Sequence, residues 1–475
     1  MSRTKAKRPR IPQKTSNRQL LSMVMTIALP VALQNVLTTT GSMVDTMMLG
    51  TIGQNTVGAV GLCAQFSSLL FSGFWGFVGG GMLFFAQYWG AGNDEGILRS
   101  YGIMLAFMAI PATVFSSLAL GAPYFVMRIY TSSVPIQEIG VRYLRVVGFS
   151  YPLMVLATAM SALLRSTERV KIPLAGGIAA VITNFVCNYI LIFGKLGFPA
   201  LGVEGAAIGT VIANAVNVLV IAALCIRQQE PYVLKITRHW HWNRELLAEY
   251  LRKSAPIIAN EVMIGVGNMM INIVLGHQIE DAIAATAVFR TLEGMIIGFF
   301  SGFSSAATVL VGKEVGAGCH EEAFSRAWRI VYFCSFITLL ACLFLVGIHT
   351  PLFHAMGLHG AAFDFAFGML LIFTIIGPVR MGNWTQNDTY RSAGDSAFGS
   401  TLEILFMFAM VQPVIHLAND VFHAPFLLVF ALCYVDEPIR YFLMQRHMYS
   451  LKWIRPVSSE GRRTLAAFRE KYHIS

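Results

Sequence analysis

The chain of 475 residues is 55% hydrophobic and 13% charged, about half the roughly 25% charge of an ordinary soluble domain. Its net charge of +10 comes from 35 Lys+Arg against 25 Asp+Glu, and the basic residues sit at the ends of long apolar runs instead of forming one solvated face. A soluble enzyme, a disordered chain and a nucleic-acid binder are excluded, and a membrane protein is expected. The chain opens on a basic, polar segment, MSRTKAKRPRIPQK. The apolar run behind it is too long for a signal peptide and shows no small-residue cleavage site, so it reads as a retained first span. A span needs roughly 20 apolar residues to cross about 30 Å of hydrocarbon. Twelve runs qualify: 20–49, 57–89, 96–121, 134–164, 170–193, 204–227, 251–276, 281–312, 322–348, 360–388, 396–418 and 424–446. All are expected to be helices, because lipid cannot satisfy open strand edges. Seven cysteines are scattered, mostly inside these runs, without a CxxC pair and read as buried apolar filler.

Lys and Arg give the orientation. With the N-terminus inside, the inner segments carry 29 of them and the outer ones four, Arg128, Arg142, Arg145 and Lys195, while Arg290 and Arg380 fall inside spans. Both termini are therefore expected in the cytoplasm, and the chain in the plasma membrane. The expected organisation is a tail at 1–19, a six-helix lobe at 20–227, a connector at 228–250, a second six-helix lobe at 251–447 and a tail at 448–475.

The chain repeats itself at an offset of 226 residues. Asn17-Arg18 matches Asn243-Arg244, Pro30 matches Pro256, Gly76-Phe77 matches Gly302-Phe303, and Gly90-Ala91-Gly92 matches Gly316-Ala317-Gly318. The same offset brings Arg165-Ser166 onto Arg391-Ser392. Six spans per half is an even number, so the halves are parallel repeats related by a pseudo-two-fold axis along the membrane normal. Two such bundles facing a central cleft suit alternating access. A duplicated receptor or scaffold would lack polar groups on its inner faces.

Residues 30–61, PVALQNVLTTTGSMVDTMMLGTIGQNTVGAVG, resemble the first span and loop of the multidrug and toxic compound extrusion (MATE) transporters. Gly90-Ala91-Gly92, the stretch from Asn184 to Gly194, Gly202 to Ala207, and Arg391-Ser392-Ala393-Gly394-Asp395 are similar to further family patterns, in family order. The resemblance implies a V-shaped pair of six-helix lobes that exchanges H⁺ or Na⁺ for an amphiphilic, often cationic, organic substrate. It also implies that Asp45 serves in protonation or cation coupling. A flippase for lipid-linked saccharide precursors, from the same superfamily, is the alternative. A major-facilitator transporter is disfavoured by GAGNDEG after span two, where that group has a basic loop.

Asp45 is the one carboxylate of the first lobe clear of the helix ends. Asn184 and Asn188 share a face of span five, and Thr210, Asn214 and Asn217 share a face of span six. With Asp45 the first three would bind Na⁺ or relay a proton. The family often has an Asp where this chain has Asn188. In the second lobe, Glu261, Arg290, Glu293 and Arg380 lie at depths that make a buried charged cluster the expectation, with Glu261 paired to Arg290 or Arg380. Asn268 and Asn272 share the face of Glu261 and, with Asn214 and Asn217, are expected to line the cavity. Prolines at 30, 111, 152, 256, 378 and 413 are expected to kink their spans. No catalytic constellation, cofactor or metal site is expected beyond a Na⁺ site. The expected partners are the bilayer, a small organic substrate and the coupling cation, with a monomer as the transport unit.

Overall fold

The structure is a computed structural model that describes residues 15–230, 232 and 240–474. Most of the N-terminal tail and part of the connector, with His239, lie outside the described residues. The first lobe runs α1 (Asn17–Gly50), α2 (Gln54–Ala91), α3 (Asp94–Gly121), α4 (Pro123–Tyr130), α5 (Val134–Val147), α6 (Ser150–Ser166), α7 (Lys171–Phe193) and α8 (Val203–Arg227). The second runs α9 (Arg244–Gly276), α10 (Glu280–Gly316), α11 (His320–Gly347), α12 (His349–Ala355) and α13 (Gly360–Ser392). It continues with α14 (Ser396–Val421), α15 (Phe426–Leu432) and α16 (Glu437–Ser450), and α17 (Ser459–Lys471) ends the chain.

Among the described residues, ten helices are long and apolar enough to cross a membrane. The expected fourth span is not one rod: α5 and α6 meet at a 52° bend, and Pro152 stands in the first turn after the break. The expected twelfth span is also broken, into α15 and α16. With these two broken spans the helices make the expected two sets of six. Pro30, Pro111, Pro256 and Pro378 lie inside helices. Pro413 follows a π-helical turn at Met407–Val411, which shifts the backbone pairing that proline would otherwise break.

The helix ends are set by local chemistry. Ser16 and Gln19 form a reciprocal cap at the start of α1, with bonds of 3.1 and 3.2 Å. Gly92, at φ 68°, lets α2 stop and α3 begin two residues later. Large apolar side chains such as Leu69, Leu219, Phe336 and Phe344 are exposed on the helix surfaces, as a lipid-facing exterior requires.

The two lobes meet along α1 and α2 of the first and α9 and α10 of the second. Their close contacts lie in the halves of these helices nearer the face where α1 begins. Gly90 packs on the backbone of Lys313, and Gly316 on that of Gln87, so closely that a Cβ at either would collide with a carbonyl. The segment after α16 was expected to be a tail. It instead docks on this face: Ser458 donates to the Gly316 carbonyl at 2.7 Å, and the Val457 amide donates to Gln87 Oε1 at 2.7 Å. Toward the opposite face the lobes part.

Candidate functional site

The first polar centre sits inside the first lobe, where α7 lies between α1 and α8. Asn188 is fully buried and donates to Asp45 Oδ1 at 2.7 Å. The outer amide atom of Asn184 stands 2.7 and 3.1 Å from the two Asp45 oxygens. With Asp45 ionised, that atom must be the donating nitrogen; with Asp45 protonated, it is the accepting oxygen. Either state is satisfied by turning one amide. Of the expected group of four, the structure brings Asp45, Asn184 and Asn188 into contact. Thr210 donates to the carbonyl of Ala206 at 3.0 Å, and Asn214 donates to the Thr210 carbonyl at 2.9 Å. Gly209 is a residue that the sequence did not single out. A Cβ there would collide with Asn188 Oδ1, so the glycine lets α8 press the amide against Asp45.

The second lobe holds two linked charge networks, not the single expected cluster. Around Glu293, Arg290 donates at 2.6 Å, Arg380 pairs with the other carboxylate oxygen, and the Tyr434 hydroxyl donates at 3.0 Å. Glu261 is not part of this group. It pairs with Arg391 at 3.2 Å, and Arg391 also reaches Asp388 at 3.4 Å and Asn260 at 2.5 Å. The expected pairing of Glu261 with Arg290 or Arg380 is therefore corrected. The cause is packing: α9 runs along α14, and Asn260 and Glu261 of α9 meet Arg391 at the end of α13, whereas Glu293 of α10 faces Arg380 of α13. Arg440 joins the two networks. It bonds Glu437 at 2.7 Å and Glu403 at 3.3 Å, and Glu403 accepts from Asn260 at 3.1 Å. Arg391, Asp388, Arg440 and Glu437 are thus site residues beyond the expected set. The sequence singles out Arg391 only as part of the repeat and of a family-like pattern, not as a charge partner.

Two adjoining cavities separate the lobes and share Thr39 and Gly294. The deeper, of about 410 Å³, is lined by Asn214 and Asn217 as expected, together with Gln34, Asn35, Trp75 and Arg165. The outer, of about 490 Å³, lies between Met43 and Met47 of α1 and Arg290 of α10. Asn268 and Asn272 were expected to line this space. They are exposed and line neither of these two cavities. At the closed end, Lys313 of α10 pairs with Glu168 of the other lobe at 2.8 Å, and Trp89 donates to the same carboxylate at 3.2 Å. Gln87 donates to the Ser392 carbonyl across the interface at 2.8 Å. Cys63, Cys225, Cys334, Cys342 and Cys433 are buried, and all seven cysteines are free thiols.

The comparisons agree with this architecture. The MatE family profile matches residues 30–190 and 256–416, two stretches that begin at the same 226-residue offset as the internal repeat. The uncharacterized transporter YisQ of Bacillus subtilis is 24% identical over 424 residues, covering 86% of this chain and 90% of its own. A probable multidrug resistance protein NorM of Thermotoga maritima is 27% identical over 305 residues, covering 62% of this chain and 63% of its own. Among solved structures, the Vibrio cholerae MATE transporter VcmN superposes with a TM-score of 0.81 at 16% identity, over 92% of this chain and 99% of its own. An outward-facing multidrug resistance MATE transporter superposes at 0.79 and 18% identity, over 93% of this chain and 100% of its own. With its two six-helix repeats and a family match in each of them, the chain belongs to the MatE family of multidrug and toxic compound extrusion transporters.

Proposed function

We propose that the chain is a secondary antiporter of the plasma membrane that expels an amphiphilic organic compound in exchange for H⁺, with Asp45 as the proton carrier. The observation that carries this reading is the amide cage of Asp45. One carboxylate faces Asn188 at 2.7 Å and an Asn184 amide that serves either protonation state by turning over. A proton needs one such group. A Na⁺ ion needs several oxygens, and here the Asn188 nitrogen is the atom aimed at Asp45.

The carboxylates of the second lobe are less suited to the task. Glu261 and Asp388 both face Arg391, so a coupling cation would have to displace a guanidinium. The Lys/Arg census supports a cytoplasmic position for the face where α1 begins. The lobes close at that face and part at the other, which corresponds to an outward-open state. Protonation of Asp45 from outside turns its charge-assisted bonds to Asn188 and Asn184 into weaker neutral ones, and this lessens the hold of α7 on α1. Motion of α1, which carries Pro30 within it, transmits the change to the lobe interface through Asn35, which donates to Ser301 at 2.7 Å.

The test is efflux from proteoliposomes loaded with a fluorescent amphiphile under an imposed pH gradient or an imposed Na⁺ gradient. Efflux driven by the pH gradient alone and lost in Asp45→Asn supports the reading. Efflux driven by Na⁺ at symmetric pH overturns the choice of ion.

A further inference from the structure

The deeper cavity carries a positive charge that no carboxylate in its walls balances. Arg165, in the last turn of α6, is the one ionised side chain among its lining residues. The polar groups around it are neutral: Gln34, Asn35, Thr38, Asn214 and Asn217. Arg165 donates to Gln34 Oε1 at 2.5 Å, and its Nε has no partner among the described residues. The buried carbonyl oxygen of Asn217 in the same wall is also unpartnered.

The internal repeat shows what is missing. Arg391 is the counterpart of Arg165, and its bond to Asn260 at 2.5 Å is the counterpart of the bond from Arg165 to Gln34. Around Arg391 the structure places Glu261 and Asp388, at 3.2 and 3.4 Å, with Glu403 joined through Asn260. The three corresponding positions in the first lobe are Asn35, Ala162 and Gly177. The arginine and its amide partner are kept, and all three carboxylates are absent. Arginine does not shed its charge by losing a proton. A partly desolvated cation without a counter-charge is costly, and that cost is relieved when an anion enters.

We propose that this cavity selects small amphiphilic organic anions, with a carboxylate or sulfonate on Arg165 and an apolar or aromatic body against Phe71, Trp75, Met82 and Ile297. The proposal rests on the antiporter reading only for the assumption that this cavity is the substrate site. It reverses the cationic preference that the family resemblance implies. The walls supply what such a ligand needs: one cation, side-chain amides, and aromatic and methionine side chains. The volume of about 410 Å³ suits a drug-sized molecule and not a lipid-linked oligosaccharide. The outer cavity is also lined without a carboxylate, and its Arg290 is already matched by Glu293 at 2.6 Å, so the unbalanced charge is at the deep end.

The test is equilibrium dialysis of the purified full chain in detergent, without any ion gradient, against two radiolabelled probes of equal size and opposite charge. These are naphthalene-2-sulfonate and trimethyl(naphthalen-2-yl)ammonium. The wild type is expected to bind the sulfonate at least about tenfold more tightly. Arg165→Gln, which keeps a hydrogen bond to Gln34, removes that preference, and Arg165→Lys retains it. Asn35→Glu, which restores the carboxylate of the other repeat, abolishes sulfonate binding and admits the ammonium probe. Only variants that are monodisperse with an unchanged melting temperature are compared, and Asn35→Glu answers the question if Arg165→Gln does not fold.

Equal or tighter binding of the ammonium probe by the wild type overturns the proposal, as does an anion preference that survives both variants. A short-chain phosphatidate that binds where the sulfonate does not would assign the site to a lipid headgroup and overturn it too. Sulfonate binding without coupled efflux would refute the antiporter reading and leave the anion site standing. Coupled efflux of cations without sulfonate binding would do the reverse.

Discussion

Glu261 lies 3.2 Å from Arg391, and the same guanidinium reaches Asp388 at 3.4 Å. One arginine thus holds a carboxylate from each of two helices, so the loss of either carboxylate leaves it paired, while the loss of the arginine leaves two carboxylates facing each other. Removing one partner of a buried pair typically costs about 3–5 kcal/mol, much of it from the orphaned charge. Glu261→Gln is therefore expected to lower the melting temperature in detergent slightly, and Arg391→Gln strongly. A larger drop for the glutamate variant would contradict the shared-arginine arrangement.

The same argument applies to Glu293, which neutralises both Arg290 and Arg380. Glu293→Gln is expected to cut expression and stability sharply. Adding Arg290→Gln should restore part of it, because Arg380 also has Glu437 within 3.8 Å. Thermal melts of the single and double variants, compared as a cycle, measure the effect.

Asp45→Asn is expected to abolish uphill efflux while the protein still inserts and folds. The interhelical bond from Asn188 survives in part, and such bonds within membranes average about 0.6 kcal/mol, which is small against total stability. Efflux at wild-type rate in this variant would show that the first lobe does not carry the coupling ion.

Gly209→Ala addresses the same centre from α8. The added methyl must displace Asn188, whose amide oxygen occupies that space. Efflux is expected to fall severalfold although no polar group has changed. Gly209→Ala together with Asn188→Ser, which clears the space, separates crowding from loss of the amide: stability recovers and efflux does not.

At the closed face, Lys313 and Glu168 form a cross-lobe pair at 2.8 Å with both side chains about one-third exposed, 34% and 32%. Such pairs contribute roughly 0.2–1 kcal/mol, enough to shift a two-state equilibrium up to about fivefold. Lys313→Gln is expected to move the population away from this state. Labelling of a cysteine introduced at Thr39, in the wall shared by the two cavities, should slow by up to that factor, and the charge-swapped pair Lys313→Glu with Glu168→Lys should recover it.

Periodicity and composition determined the class, the run of spans and the duplication, because lipid leaves helices as the one way to satisfy a spanning backbone and an even number of spans makes parallel repeats. Asp45 with Asn184 and Asn188 was legible for a similar reason: helical spacing puts the amides on one face, and a lone carboxylate at that depth needs donors. The breaks between α5 and α6 and between α15 and α16 were not legible, since a bent span and a straight one have the same hydropathy.

Partner choice among the buried charges was not legible either. Depth along a helix follows from counting residues, but rotation about the axis and the choice of neighbour follow from packing. Glu261 therefore met Arg391 and not the arginines at a matching depth. The unbalanced Arg165 shows both sides of this division. Its place in the repeat is written in the sequence, whereas its lack of a counter-charge appears only when the fold brings Asn35 and Ala162 to the places that Glu261 and Asp388 occupy around Arg391. Sequence determines which groups must leave water together with the helix that carries them; tertiary packing decides which of them meet, because electrostatic neutralisation acts over a few ångströms and those distances are set between helices, not along them.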